Sequence, residues 1–120
     1  MDSSTNVLGG PLQSCSEEPL TGWFRDGCCN TDENDRGSHT VCCVLNDAFL
    51  QFAKHQGNDL ITPAPEFQFP GLKDGDSWCV CARTWLAAVN ARQACPVDLE
   101  ATHRRALEVI PFDVLETHAV

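Results

Sequence analysis

Two pairs of adjacent cysteines, Cys28-Cys29 and Cys42-Cys43, and a third pair one residue apart, Cys79 and Cys81, constrain this chain more than any other feature. With Cys15 and Cys95 they make eight thiols in 120 residues. A cysteine can be core filler, half of a disulfide, a metal ligand or a nucleophile. On a strand, neighbouring side chains point to opposite faces, so at most one of Cys42 and Cys43 can share a site with a given partner. On a helix, Cys79 and Cys81 stand about 200° apart and cannot ligate one ion. If that stretch is extended, they share a face and can.

Length and composition set the frame for those thiols. A chain of this size forms one domain, 1–120, and buries roughly two-thirds of its unfolded surface. Apolar residues make up 42%, enough for an ordinary hydrophobic core. Cysteine content lies just below the roughly 8–10% of a secreted disulfide scaffold. The start, Met1-Asp2-Ser3-Ser4-Thr5-Asn6, has neither the basic opening nor the apolar stretch of a signal peptide. No run approaches the ~18 apolar residues of a membrane span. Taken as a native start, this places the chain in the cytoplasm with its thiols reduced.

Seventeen acidic residues face eight basic ones, a net charge of -9. That sign repels phosphate backbones and anionic lipid, so the expected partners include no nucleic acid and no membrane. Acid excess with so few lysines also suits a salt-rich cytosol, which is the halophile reading.

Local patterns point to an α+β domain with short strands, about three short helices and long irregular loops. Residues 1–38 are dense in Gly, Pro, Ser, Asp and Asn and read as an irregular arm and loop, with 21–27 a turn-rich segment. Thr40 to Leu45 is β-branched and apolar and reads as a buried strand. Asn46 is placed to cap a helix running to about Gln56, with Gly57 as its stop. Residues 58–75 hold three prolines and read as a long ordered loop, pinned by Phe67, Phe69 and Leu72. Asp76 or Ser77 caps a second helix, because Trp78, Cys81, Ala82, Trp85, Leu86 and Val89 follow helical spacing. Pro96 to Leu99 reads as a short strand, Thr102 as the cap of a third helix to Val109, and Asp113 as the start of a last turn.

Three chemistries compete for the thiols. Zinc wants four Cys or His ligands, and Cys28, Cys29, His39, Cys42, Cys79 and Cys81 supply enough, although no Cys-x-x-Cys occurs. Disulfides would join Cys28 or Cys29 to Cys42 or Cys43 and tie the arm to the strand. A nucleophilic thiol needs a nearby cation or base, and Arg25 lies three residues before Cys28 as His39 does before Cys42. Each has a plainer counterpart. Cys42, Cys43 and Cys81 are apolar enough in context to be small core residues, Trp78 and Trp85 to be core aromatics, and Arg25-Asp26 to be a structural ion pair. His103 reads as part of a helix start, His118 as near a fraying terminus, and Arg104-Arg105 as a solvated helix face. Asp32-Glu33-Asn34-Asp35 lacks the spaced carboxylates and Gly of a calcium loop.

Longer runs carry a family resemblance over nearly the whole chain. They are Asn6-Val7-Leu8-Gly9 with Pro11-Leu12 and Cys15, Pro19-x-Thr21-Gly22, Arg25-Asp26-Gly27-Cys28-Cys29, and Gly37-Ser38-His39-Thr40-Val41-Cys42. They continue through Gly57-Asn58-Asp59-Leu60-x-Thr62-Pro63, Phe69-Pro70-Gly71-Leu72 and Gly75-Asp76-x-Trp78-Cys79-x-Cys81-Ala82 to Ala101-Thr102-His103 and Leu115-x-x-His118-Ala119. In these the chain resembles a small bacterial family, found also in some other lineages, catalogued only as a domain of unknown function. The resemblance implies a compact cytosolic domain and no assigned activity, cofactor or catalytic residue. The chain departs from the family pattern at Cys43, where the family has a small residue, and at Ala94-Cys95-Pro96, where it has Ala-Pro-Pro.

The expected site therefore lies where the loop of Arg25, Asp26, Cys28 and Cys29 meets His39 and Cys42, with Cys79 and Cys81 nearby. Two functions fit it. One is a binding or interaction module in which the 58–75 loop and the 21–27 turn frame a pocket while the cysteines pack or hold a structural zinc. The other is a small thiol- or metal-dependent enzyme using the same cluster.

Overall fold

The structure, a computed structural model, describes residues 4–120. Its centre is a two-stranded antiparallel sheet of β1 (His39–Val44) and β2 (Ser77–Cys81). Around it lie α1 (Asp47–His55), α2 (Ala82–Asn90) and α3 (Phe112–Thr117), with 3-10 turns at Pro65–Phe67, Leu99–Ala101 and Arg104–Glu108. This is an α+β domain.

The alternation of side chains gives each sheet face its own partner. Val41, Cys43, Trp78 and Val80 point into the main core, where they meet Phe49, Leu50, Trp85, Ile110 and Leu115 from the helices. Cys42 and Cys79 point the other way, into a small cluster with Cys29, Ala101 and Cys15. Adjacent Cys42 and Cys43 thus serve opposite faces, as strand geometry requires.

Helix α1 begins where Asn46 caps it: the side chain accepts a hydrogen bond from Phe49 N at 2.9 Å. Phe49, Leu50 and Ala53 form its buried stripe. Helix α2 starts later than the periodicity suggests. The helical spacing from Trp78 to Val89 is real, but Ser77–Cys81 forms a strand and the helix takes over only at Ala82. An apolar run of Trp, Cys and Val suits either geometry, and pairing with β1 decides it. Trp85 is fully buried, and its indole N–H donates to Cys95 O at 3.0 Å.

Other expectations are corrected in detail. The Pro96–Leu99 stretch makes isolated bridges at Val97, to Cys43 and Ala119, rather than a strand. The third helix is a 3-10 segment, Arg104–Glu108, whose cap is His103, its Nδ1 accepting from Arg105 N. His118 is held rather than frayed: its ring packs edge-on against Trp85 at 5.2 Å, and Nδ1 lies 2.9 Å from Val114 O. In the 58–75 loop Leu72 is buried and Phe69 packs on the core, whereas Phe67 is 77% exposed.

The arm carries no regular element between residues 4 and 38, yet it is closely fitted. Asn6 organises its start by accepting from Leu8 N and Gly10 N and donating to Pro11 O and Glu100 O. Two buried threonines close the outer edges of the sheet: Thr21 Oγ1 accepts from Cys79 N at 2.9 Å and Thr102 Oγ1 from Cys42 N at 3.2 Å. These two backbone donors, which neighbouring strands would otherwise satisfy, are met by side chains, while Val44 N, also on the outer edge of β1, donates to Pro96 O. Gly22 makes that approach possible, since its φ is +105° and a Cβ there would sit 2.3 Å from Cys28 O.

Candidate functional site

Cys42 and Cys79 are direct partners across the sheet. Both of their N–H groups point outward to threonines, so they form the kind of antiparallel pair in which side chains lie closest. Each sulfur meets one from the arm. Cys15 bonds Cys42 and Cys29 bonds Cys79, with S–S distances of 2.09 and 2.05 Å. These two bridges replace the expected pairing of Cys28 or Cys29 with Cys42 or Cys43, and they remove Cys42 from the set of plain core thiols. The sulfurs of Cys15, Cys29 and Cys79 all lie within 4.8 Å of one another.

The bridges span 27 and 50 residues of sequence. Taken singly, closing loops of that length removes about 3.5 and about 4 kcal/mol of unfolded-state entropy in the chain-entropy treatment. The arm has few buried apolar side chains of its own, Val7 being one, so this is a large share of what fastens it.

Beside the sulfur cluster, on the free edge of β2, lies a cavity of about 390 Å³. Gly22, Trp23 and Arg25 from the turn form one wall, and Asn58, Asp59, Leu60 and Phe69 from the long loop form the other. Its floor is β2 itself, Trp78 to Cys81, with His39 at one end. Arg25 adopts a left-handed φ of 54°, donates to Gly22 O at 2.9 Å and lays its guanidinium 5.1 Å from the centre of the Trp78 ring. It makes no ion pair with Asp26 among the described residues. Asp26 instead accepts from Cys28 N at 3.0 Å and shapes the turn.

His39 lines the same cavity, its ring stacked on Trp23 with centroids 6.0 Å apart. Its Nδ1 lies 2.6 Å from Asp35 Oδ1. The Asp35 side chain is wholly buried and also accepts from His39 N and Thr31 Oγ1, both at 2.9 Å. Burial alone would push the Asp35 carboxyl up. Hydrogen bonds from the His39 ring, the His39 N–H and Thr31, with the charge on His39, outweigh it and hold the group below the usual carboxylate range. Asp59, on the opposite wall, accepts from Ile61 N and Thr62 N, and these bonds, with the Thr62 hydroxyl foremost, keep it low as well.

The sequence-expected set is thus divided between two neighbouring groups. Cys29, Cys42 and Cys79 join Cys15 in the sulfur cluster, while Arg25, His39 and Cys81 line the cavity. Strand β2 links them, since Cys79 belongs to both and Cys81 lies two residues on. Cys28 and Asp26 belong to neither. Burial, with Asp26 and Glu17 nearby, pushes the Cys28 thiol up. Cys43 and Cys95 are buried free thiols of the main core, and burial drives Cys43 far above the usual thiol range. Sequence reasoning passed over Asp35, Trp23 and the cavity role of Trp78. The spacing of Asp35 four residues before His39 was the available signal for the first.

A carboxyl held lower in the folded than in the unfolded chain contributes stability above its unfolded value, near pH 4, and that contribution is lost as pH falls through the folded value. Replacing Asp35 with Ala is therefore expected to lower unfolding free energy at pH 7 by about 1–3 kcal/mol. Urea titrations at successive pH values should also show the variant losing less than the native chain below about pH 4. Parallel curves would contradict this assignment.

Among the described residues no helix is long and apolar enough to cross a membrane. No curated protein matches the chain. A family sequence model does, over residues 5–119, and the chain accordingly belongs to the family described as "uncharacterized protein conserved in bacteria (DUF2237)".

Proposed function

We propose that this chain is a cytoplasmic binding module for a small, flat, anionic ligand, with the four-sulfur cluster as the clamp that holds its pocket together. The observation that carries the reading is the convergence of Trp23, Trp78, Arg25 and His39 on one cavity of about 390 Å³. That volume is near the lower end for small-molecule sites, which suits a ligand of one or two rings. The exposed Trp23 indole supplies flat apolar surface, and Arg25, seated on the Trp78 ring, supplies a planar fork of donors, of which one is spent on Gly22 O. Asp59 faces the same cavity, with its Oδ1 turned to the N–H groups of Ile61 and Thr62.

Titration of tryptophan fluorescence with benzoate and with benzamide tests the anionic preference. Benzoate is expected to bind at least tenfold more tightly than its neutral amide, and Arg25→Gln to abolish the difference. Equal binding of the two, or none, would end the reading.

The clamp has a second form in a reducing compartment. Reduced, Cys15, Cys29, Cys42 and Cys79 are four thiolates in a nearly dry site, the donor set of a structural zinc. The sulfurs of Cys15, Cys29 and Cys79 already lie within 4.8 Å of one another, and on reduction the bonded pairs, at 2.09 and 2.05 Å, would part to the roughly 3.8 Å between sulfurs that Zn–S bonds of about 2.3 Å imply. Protein purified without oxygen is expected to carry one zinc per chain by elemental analysis and to release eight thiols after chelation in denaturant. Four thiols and no zinc would assign the clamp to disulfides. Eight thiols without metal would remove it.

A further inference from the structure

The cavity also brings a free thiol to an oriented imidazole. His39 opens β1, and its partner on β2 is Cys81. The register slips between His39 and Val41, a local irregularity of the kind that re-aims side chains. A Cβ built on Gly37 would lie 2.9 Å from His39 Cε1 and 3.6 Å from Cys81 Sγ, so ring edge and sulfur border the same small space. Any side chain at position 37 would intrude there.

The protonation pattern of His39 follows from its partner. An ionised carboxylate only accepts, so Nδ1 carries a proton towards Asp35, and in the neutral imidazole the lone pair is on Nε2. Cys81 differs from the other free thiols in the way a reacting group must. It is half-buried and lines the cavity, whereas Cys43 and Cys95 are sealed in the core and Cys28 lies outside the cavity wall. Charged groups facing this end of the cavity are Arg25 from the turn, Asp35 behind the ring and Asp59 on the loop.

We infer that Cys81 is a nucleophilic thiol, with His39 as its base, Asp35 as the residue that positions His39, and a small anionic electrophile as its substrate. The Cys81 S–H proton passes to His39 Nε2. The sulfur pair then forms an S–C bond as the bond from that carbon to its leaving group breaks, the leaving group keeping the electron pair. The imidazolium, held by Asp35, gives its proton to the leaving group or to water. The inference rests on the ligand reading above only for the charge of the electrophile.

Two alkylating reagents of nearly one size separate the claims, because iodoacetate is anionic and iodoacetamide is neutral. The full-length protein is treated with limiting reagent at pH 7, and labelling at each cysteine is followed by peptide mass spectrometry, with Cys28 as the internal reference. Cys81 is expected to react with iodoacetamide at least tenfold faster than Cys28. His39→Gln and Asp35→Asn are expected to lower that rate at least tenfold, and Asp35→Asn to displace its pH profile, which a purely structural role would not do. Cys43 and Cys95 stay unlabelled in a folded variant, so their labelling reveals unfolding. Should His39→Gln unfold, the native pH profile decides: a rate that follows imidazole titration supports the inference, and one that rises only with hydroxide overturns it. Cys81 no faster than Cys28, or indifferent to His39, also overturns it. Fast iodoacetamide labelling without preference for iodoacetate keeps the nucleophile and refutes the anionic ligand instead.

Discussion

Cys42 and Cys79, side by side on one face of a two-stranded sheet, set the conditions for everything around them. A pair of strands is marginal in water and needs both faces covered. One face receives helices whose apolar stripes supply an ordinary core around Phe49, Trp85 and Leu115. The other receives an arm with no helix or strand of its own and few apolar side chains to bury. Hydrophobic area cannot fasten such a segment, so covalent bonds through sulfur take over. With the arm fixed, Trp23 and Arg25 reach the free edge of β2 and the cavity exists.

That dependence explains what could be read before the fold was known. Local rules worked where one element's own residues decide the outcome. Asn46 capping α1, the opposed faces of Cys42 and Cys43, and the 58–75 loop and 21–27 turn as cavity walls all follow from spacing and turn chemistry. Local rules failed where a distant partner decides. Ser77–Cys81 fits a helix by period and a strand by composition, and only β1 resolves it. The partners of Cys42 and Cys79 lie 27 and 50 residues away, and nothing in local spacing singles out Cys15 over Cys28. Asp35 sat in an acidic run weighed only against the pattern of a calcium loop, which it lacks, yet its carboxylate is buried and serves His39.

The acidic character of the chain does not exclude an anion from the cavity. Carboxylates more than about 8–10 Å away are largely screened at ordinary ionic strength. A guanidinium at about 4 Å contributes on the order of 4 kcal/mol at an effective dielectric of 20. Proximity therefore outweighs net charge, and the Trp78 ring beneath Arg25 keeps the fork in place with no acidic partner in an ion pair among the described residues.

The direct test of this account is hydrogen exchange with the four-sulfur clamp intact and then opened by reductant and chelator. Loss of protection confined to the arm and the 21–27 turn, with β1, α1 and α2 still protected, is the predicted result. An arm as protected after opening as before would show that sulfur does not hold it, and the cavity would need another cause.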